Sequence, residues 1–265
     1  MNFIGVNPLK IEGYKDESYG YSRFVNIKLK NKKYRPVISA VINPWGIKKQ
    51  LDAYKNNKGI IKDEKNHLFF SNEITNAKTN GFIAGYNSIN LGNRIWTPKS
   101  GFNLGLISEF KKINIKVKWE YESTGASNFA FDIWLTKNKD GPLSEEDIEL
   151  MVWLDYNFDF PIKTVGEDDK FLIKYIKKKP MLYLPTYHWF TFLNKNKTGI
   201  IDFDLIELFE KCKGLINLKD YHIRSIELGN EYSKNTKVKT KLFKVDFNFI
   251  KKQEFKINIK HKRLS

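Results

Sequence analysis

The chain contains two stretches, Phe129-Ala-Phe-Asp-Ile-Trp-Leu135 and Ile148-Glu-Leu-Met-Val-Trp-Leu154, in which two kinds of side chain alternate. Alternate residues of a β-strand point to opposite faces of its sheet. One face of the second stretch is aliphatic, whereas the other, extended by one residue at each end, carries Asp147, Glu149, Met151, Trp153 and Asp155. The first stretch is divided in the same way, and its apolar face consists of Phe129, Phe131, Ile133 and Leu135. Each stretch therefore predicts a strand with one face in a hydrophobic core.

The residues between these two strands predict a hairpin. The connection 136–146 carries Asp140-Gly141-Pro142 near its centre, a combination that is typical of turns. Antiparallel pairing about that centre places Asp132 opposite or nearly opposite Glu149, on the faces that point away from the core. Two carboxylates about 5 Å apart repel each other, so one of them is expected to have a raised pKa or to share a proton.

The polar face of this hairpin has two interpretations. It is either the solvated outer side of an ordinary sheet or the floor of a sugar-binding cleft. Solvated faces usually mix Lys, Thr and Glu, yet this lysine-rich chain places no lysine among the eight positions Asn128, Ala130, Asp132, Trp134, Asp147, Glu149, Met151 and Trp153. Aromatic rings can stack on sugar rings and carboxylates carry out glycosidic chemistry, so this composition favours the cleft.

The rest of the chain predicts an all-β fold. Strand-like alternation recurs at 35–42, 112–121, 171–176, 189–193, 222–228, 238–249 and 255–259, and turn clusters lie at 56–59, 139–142 and 194–199. Only 202–212 has apolar residues near helical spacing, with an aspartate at its start and Gly214 beyond its end. Without a linker or an internal repeat, residues 1–265 are predicted to form one domain. Its fold class is a two-sheet antiparallel β-sandwich (jelly roll) with a concave substrate cleft and one packed α-helix.

The net charge of +16 raises the possibility of a polyanionic partner. Only five of the 46 basic residues are arginines, whereas nucleic-acid recognition favours the arginine fork. Lysines spread along the whole chain agree better with codon bias expressed on a solvated surface. We therefore expect no specific nucleic acid, and non-specific adhesion to polyanions is the alternative.

Neither a metal nor a cofactor is predicted. The four histidines are far apart in sequence, and the one cysteine, Cys212, is expected to be a small buried hydrophobe in the helix.

No stretch approaches the roughly 18 apolar residues that span a bilayer. The first eight residues lack the apolar centre of a signal peptide. We expect a monomer without a membrane span.

The predicted hairpin resembles the paired signature of glycoside hydrolase family 12. That signature is an Ala-aromatic-Asp-Ile-Trp strand followed by a Glu-(Ile/Leu)-Met-(Ile/Val)-Trp strand. Further segments resemble elements of the family in the same order, namely Asn43-Pro44-Trp45-Gly46, Gly85-Tyr86, His188–Phe192 and Gly229-Asn230-Glu231. The hairpin is the specific part of a match that runs from about residue 40 to 250.

The resemblance implies a retaining, endo-acting hydrolase that cleaves β-1,4-glucosidic bonds in cellulose, mixed-linkage glucan or xyloglucan. Glu149 would be the nucleophile and Glu231 the general acid/base, while Asp132 would hydrogen-bond to Glu149 and control its protonation. The implied substrate-binding residues are Asn43, Trp45, Tyr86, Trp134, Met151 and Glu227, with Trp45 and Trp134 stacking on glucosyl rings. The family implies an extracellular enzyme, and a cytoplasmic one is the alternative.

Three residues depart from the family pattern. Asn87 stands where proline usually follows the tyrosine and is expected to reshape a cleft loop. Asn235 replaces a glycine but tolerates the left-handed backbone conformation, so the turn is expected to survive. Glu227 replaces a common glutamine and adds a third acid to the floor. These departures affect the expected substrate preference and pH optimum more than catalysis.

Two other functions fit parts of the sequence. A non-catalytic glycan-binding or structural jelly roll would need the aromatic floor but neither glutamate, and both glutamates are present. A polyanion-binding β domain would concentrate its lysines on one face. The enzyme is the better prediction.

Overall fold

The computed structural model of the chain describes residues 3–4, 9–12, 23–29, 38–47, 57–64, 67–75, 78–79, 81–93, 95, 104–178 and 185–252. The first nine strands, β1 to β9, are Phe3–Ile4, Leu9–Glu12, Arg23–Leu29, Ile38–Asn43, Asn57–Glu64, His67–Ile74, Ile83–Gly92, Gly105–Leu106 and Phe110–Thr124. Strands β10 to β17 are Ser127–Thr136, Ile148–Tyr156, Thr164–Glu167, Phe171–Lys178, Tyr187–Asn194, Ile200–Asp204, His222–Ser233 and Thr236–Lys251. A 3-10 helix (Ile107–Glu109) precedes β9, and helix α1 (Leu205–Cys212) follows β15.

The described strands form two sheets. The larger has the order β1-β3-β4-β7-β16-β10-β11-β14-β13-β12, with β8 beside β16, and the smaller has the order β15-β9-β17-β6-β5-β2. Neighbouring strands are antiparallel except β11 and β14, which are parallel. The predicted antiparallel sandwich is therefore confirmed, and the described residues include one α-helix packed on it. The predicted strand at 255–259 lies outside the described residues.

The core lies between the two sheets and contains the apolar faces of the predicted hairpin. Phe131 of β10 packs against Phe203 of β15 and Phe247 of β17, with ring centroids 5.9 and 6.2 Å apart. Phe129 packs in the same way against Phe70 of β6, at 6.2 Å. Full burial of such a side chain is worth about 1.5–3 kcal/mol, so alternation along β10 fixes which of its faces turns inward.

Helix α1 begins at Leu205 rather than at 202, because the residues before it pair with β9 as strand β15. The Asp204 carboxylate accepts hydrogen bonds from the backbone N–H groups of Ile206 and Ile113, both at 3.0 Å. It therefore caps the helix and ties its start to β9. The buried face comprises Leu205, Leu208, Phe209 and Cys212, so the prediction for Cys212 is confirmed. No helix in the described part of the chain is long and apolar enough to span a bilayer.

Two predicted turns have different outcomes. The turn predicted at 56–59 is wrong, because residues from Asn57 onward begin β5. A side chain at Gly59 would meet the Ile42 side chain at 2.9 Å, so this glycine serves close packing between the sheets. The turn between β16 and β17 is as expected, since Asn235 adopts the left-handed conformation with φ of 56°.

Asn87 lies within β7 with its side chain in the core, so the prediction that it reshapes a cleft loop is wrong. Its Oδ1 accepts hydrogen bonds from the backbone N–H of Asn43 and the hydroxyl of Tyr232, both at 3.3 Å. Its Nδ2 donates to Asn72 Oδ1 of the smaller sheet at 3.2 Å. Asparagine also keeps the N–H that proline lacks, so the strand continues through this position.

Lysines on the outer face of the smaller sheet are interspersed with acidic residues. Lys237 of β17 lies 3.6 Å from the carboxylate of Glu73, and Lys241 lies 3.2 Å from that of Glu120. Such exposed pairs add little stability, but they divide the positive surface into short pieces. This arrangement does not favour a polyanion-binding face.

Candidate active site

The cleft face is the face of the larger sheet that points away from the smaller sheet. Strand β10 runs through its middle, with β16 on one side and β11 on the other. Glu149 of β11 lies opposite Trp134, and Glu231 of β16 lies opposite Asn128. Asp132 lies between these two positions in β10, so it is diagonal to Glu149 rather than directly opposite. The three predicted catalytic carboxylates therefore share one face and three adjacent strands.

Burial separates the carboxylates of the cleft face into two pairs. Glu149 and Glu231 are half-buried, whereas Asp132 is only 8% exposed and Glu227 is fully buried. Most of the described residues around them are also closed to solvent, including Ala130, Trp134, Met151, Trp153 and Trp189. Of these four acids, the two that a substrate can reach are the two predicted to react with it.

Each accessible glutamate is held by a neutral donor. The hydroxyl of Tyr187, the first residue of β14, donates to Glu149 Oε2 at 2.6 Å. The Asn128 Nδ2 group donates to Glu231 Oε2 at 2.8 Å. Hydrogen bonds to an ionised carboxylate are stronger than neutral ones and restrict its rotation. Both side chains are thereby held in place on the cleft face.

Asp132 has an environment that favours its neutral form. Burial raises the pKa of Asp132 well above its usual range, and the charges of Glu149, Glu227 and Glu231 raise it further. A hydrogen bond from Trp134 Nε1 to Asp132 Oδ2 at 3.2 Å acts in the opposite direction. Asp132 Oδ1 is buried without a hydrogen-bond partner, so the predicted Asp132–Glu149 hydrogen bond is not present. The diagonal register accounts for this difference.

The variant Asp132→Asn is expected to melt at a higher temperature than the wild type at pH 7, by a margin that vanishes toward about pH 4. In the folded protein the pKa of Asp132 is raised, so above about pH 4 the folded state holds a proton that the unfolded state has lost. The free energy of unfolding therefore falls as pH rises toward the folded pKa. Asparagine is neutral at every pH, so the free energy of unfolding of the variant does not fall in this way.

Thermal unfolding followed by circular dichroism from pH 4 to pH 7 measures this margin. Asp220→Asn, at an exposed position, is the control and should shift the melting temperature little at any pH. A margin of the same size at pH 4 and pH 7 would show that Asp132 does not titrate as described.

The predicted substrate-binding residues differ in what they expose. Trp45, in the turn after β4, is 37% exposed, and Asn43 before it is half-buried. Tyr86 is 6% exposed, and its hydroxyl donates to the Ala130 carbonyl oxygen at 2.9 Å. The Trp134 ring is 2% exposed and therefore lies in the floor without an open stacking face. Two further members are buried, namely Met151 and Glu227, whose Oε2 accepts from Ser88 at 2.9 Å.

A phenylalanine segment, residues 157–163, follows β11 and folds over part of the cleft face. The Phe158 ring lies 4.9 Å from that of Trp153, and the Phe160 ring lies 5.5 Å from that of Trp189. Both phenylalanines also contact Phe82, at 5.3 and 5.7 Å. Phe82 precedes β7, and β16 and β10 lie between β7 and β11 in the sheet. The segment therefore reaches across the sheet and borders the accessible part of the cleft face.

A buried lysine fastens this segment to the sheet. Lys174 of β13 is 7% exposed, and its ammonium forms an ion pair with the Asp159 carboxylate. The same ammonium donates to the Phe160 carbonyl oxygen at 3.0 Å. A buried charge is tolerated when it is paired and hydrogen-bonded. The contacts with this segment therefore satisfy the Lys174 ammonium, and the same contacts hold the segment against the sheet.

Asp159→Ala is expected to lower the free energy of unfolding by about 1–3 kcal/mol, more than Lys174→Met does. The first change leaves a buried ammonium without its counter-ion, whereas the second removes the charge and keeps an apolar chain of similar length. Urea unfolding measures both, and Asp169→Ala is an exposed control in the same region. A larger loss in Lys174→Met would contradict this account of the ion pair.

Sequence reasoning missed several residues that shape the site. Tyr187 alternates with Trp189 along β14, so the same two-residue period used for β11 could have placed it on the cleft face. Phe158 and Phe160 also alternate, but they lie between strands and their packing depends on Lys174. No local pattern marks Lys174, because an isolated lysine in a strand is usually solvated.

The arrangement can perform acid–base and nucleophilic chemistry on one substrate. Two accessible carboxylates lie on strands either side of β10, and Asp132, whose pKa is raised by burial, lies between them. A carboxylate can attack a carbon centre, and a second carboxyl can deliver and recover a proton. Glycoside hydrolysis uses a pair of this kind.

Comparison with known proteins agrees with this chemistry. The family model of glycosyl hydrolase family 12 matches residues 37–250. The fold is similar to that of a ligand-bound family 12 xyloglucanase from Bacillus licheniformis, with a TM-score of 0.67, 18% identity and coverage of 92% of this chain and 100% of that one. It is also similar to an endoglucanase from Rhodothermus marinus (TM-score 0.59, 19% identity, coverage 81% and 92%).

A third similar structure is endoglucanase 3 from Trichoderma harzianum (TM-score 0.60, 12% identity, coverage 89% and 100%). No curated protein matches the chain by sequence. At these identities the solved structures show likeness of fold, and the family match supplies the assignment. Because that match covers most of the chain and includes Asp132, Glu149 and Glu231, the chain belongs to glycosyl hydrolase family 12 and is a glycoside hydrolase.

Proposed function

We propose that the protein is a retaining endo-β-1,4-glucanase with Glu149 as its nucleophile and Glu231 as its general acid/base. The observation that supports this most strongly is the selective exposure of these two carboxylates among the mostly buried side chains at the centre of the cleft face. Their different donors, a phenol for Glu149 and an amide for Glu231, agree with different roles.

In the first step, the Glu149 oxygen that does not bind Tyr187 attacks the anomeric carbon of the substrate. The bond from that carbon to the leaving sugar oxygen breaks, and Glu231 transfers its proton to this oxygen. The product is a glycosyl ester of Glu149 with inverted configuration at the anomeric carbon.

In the second step, a water oxygen attacks the same carbon while Glu231 accepts the water proton. The ester bond breaks, and its electron pair returns to Glu149 as a carboxylate. The configuration is inverted a second time, so the released sugar retains its original anomeric form.

The neutral form of Asp132 supports this division of roles. Two interacting carboxyl groups resist carrying charge together, so a proton held by Asp132 leaves the negative charge to Glu149. Burial of Asp132 raises its pKa, whereas Glu149 is only half-buried. Glu149, rather than Asp132, is therefore the carboxylate that a substrate can reach.

A neutral β-1,4-glucan fits the charge of the cleft face. The acids near its centre are Asp132, Glu149, Glu227 and Glu231, and its buried lysine, Lys174, is already paired with Asp159. An acidic polysaccharide would be repelled by the two accessible glutamates. Similar folds occur in enzymes named xyloglucanase and endoglucanase, so cellulose, mixed-linkage glucan and xyloglucan are the substrates to compare.

The test is reducing-sugar release from hydroxyethyl cellulose, mixed-linkage β-glucan, xyloglucan and a xylan control, all uncharged, with viscosity measured in parallel. We expect release from at least one β-1,4-glucan, with an early fall in viscosity that indicates internal cleavage. Proton NMR during hydrolysis should show the β-anomer first. Activity on xylan alone, or an α-anomer as the first product, would overturn the proposal.

A further inference from the structure

We propose that Tyr187 is a positioning residue that speeds the breakdown of the glycosyl-enzyme formed on Glu149. This inference rests on the proposed retaining mechanism and assigns a role within it to a side chain that sequence patterns did not single out. The role follows from which Glu149 oxygen Tyr187 contacts, how rigidly its ring is held, and how the charge on that oxygen changes during the reaction.

The contact between Tyr187 and Glu149 is short and enclosed. The phenol donates to Oε2 at 2.6 Å, a distance typical of an O–H group bound to a charged oxygen. Parallel pairing of β14 with β11 sets Glu149 beside Trp189, two residues after Tyr187 on the same face. Tyr187 is 4% exposed, so little solvent competes for its hydroxyl group.

The Tyr187 ring has little freedom to turn away from Glu149. Its edge packs against the Trp134 ring, with centroids 5.4 Å apart and planes at 65°. Trp134 in turn lies opposite Glu149 in the ladder between β10 and β11. Ile95 and Leu143 complete a small apolar cluster around these two rings. Packing of the ring in this cluster therefore holds the hydroxyl at one oxygen of the nucleophile.

Tyr187 remains a hydrogen-bond donor throughout the working pH range. Burial raises the pKa of Tyr187 far above its ordinary value, and the charge of Glu149 raises it further. The phenol thus keeps its proton, and it stabilises whichever state of Glu149 carries more negative charge on Oε2.

The charge on Oε2 changes in opposite directions in the two steps. When the other oxygen attacks the sugar, Oε2 becomes the carbonyl oxygen of an ester and loses most of its negative charge. When water attacks the anomeric carbon, the bond to Glu149 breaks, its electron pair returns to the carboxylate, and the water proton passes to Glu231. The Tyr187 hydrogen bond strengthens as this charge returns, so it lowers the barrier of the second step.

The test compares wild type with Tyr187→Phe on 2,4-dinitrophenyl β-cellobioside, a substrate whose leaving group departs readily. We expect kcat to fall about ten- to a hundredfold and KM to fall at least in proportion, so that kcat/KM does not fall. Rapid mixing should show a burst of dinitrophenolate close to one equivalent per enzyme. Tyr175→Phe is the matched control, because it removes a phenol of neighbouring β13 that pairs with His188.

The other outcomes overturn the inference. An unchanged kcat, or equal falls in kcat and kcat/KM without a burst, would show that Tyr187 does not act on the second step. If Tyr187→Phe does not fold, Trp134→Phe is the second variant, because it loosens the packing of the Tyr187 ring and leaves the phenol in place. An unchanged ratio between the rates of the two steps in that variant would also overturn the inference. Failure of the proposed function is recognised separately, because wild type would then release no dinitrophenolate.

Discussion

Glu149→Gln is expected to lower kcat on a soluble β-1,4-glucan by at least about 10⁴-fold, because an amide cannot form and release a glycosyl ester. The substitution preserves the shape of the side chain, and its amide oxygen can still accept the hydrogen bond from Tyr187. We therefore expect the folded structure and the affinity for glucan to survive. Reducing-sugar release measures the loss of activity, and affinity electrophoresis in glucan gels measures the binding that remains.

A second variant at the same position identifies the role of Glu149. Glu149→Ala opens space on the face from which the nucleophile attacks, so added azide should take its place and yield an α-glycosyl azide from an activated β-glycoside. Glu145→Gln, at an exposed position in the hairpin connection, is the control and should retain full activity. If Glu149→Gln keeps more than about a tenth of wild-type activity, the nucleophile lies elsewhere.

The strands that carry the catalytic residues could be predicted because their two faces differ sharply. In β10 and β11 every second side chain is apolar and lies in the core, and a shift by one residue would bury Asp132 and Glu149 there. The hairpin connection then limits which residues can face each other. The length of the connection left the pairing register uncertain by about one cross-strand pair. In the structure Asp132 lies opposite Met151 and is therefore diagonal to Glu149.

The exposure of the cleft face could not be predicted in the same way. Alternation shows which side chains share a face but not what covers that face. Trp134 was expected to stack on a sugar, yet its ring supports Tyr187, and Trp153 is covered by Phe158. These coverings come from segments distant in sequence, and their positions depend on tertiary contacts such as the one between Lys174 and Asp159.

The positions at which helices and strands begin were also hard to predict from local sequence alone. The segment that starts at 202 has helical spacing, but pairing with β9 extends the strand through Asp204 before the helix begins. Residues 57–59 have the composition of a turn, yet they form part of β5, where Gly59 permits close packing. In both places hydrogen bonding to a neighbouring strand outweighs local preference.

Glu231→Ala is expected to lower kcat on a β-1,4-glucan by about 10²–10⁴-fold, the range typical of a lost general acid/base. A glucan leaving group needs a proton as it departs, whereas 2,4-dinitrophenolate does not. The first step with the dinitrophenyl glycoside should therefore remain fast, and the glycosyl-enzyme should accumulate because no base activates water. The pH–rate profile should also lose the limb that reports the protonated acid.

Azide distinguishes the role of Glu231 from that of Glu149. In Glu231→Ala it attacks the accumulated glycosyl-enzyme and should give a β-glycosyl azide, whereas Glu149→Ala should give the α form. Glu122→Gln, exposed on the smaller sheet, is the control and should show neither rescue nor loss. Because Glu231 and Glu149 lie on opposite sides of β10, each is expected to serve one face of the same sugar. An α-azide from Glu231→Ala would reverse the two assignments, and equal losses of kcat/KM, which reports the first step, on glucan and on the dinitrophenyl glycoside would remove Glu231 from proton transfer to the leaving group.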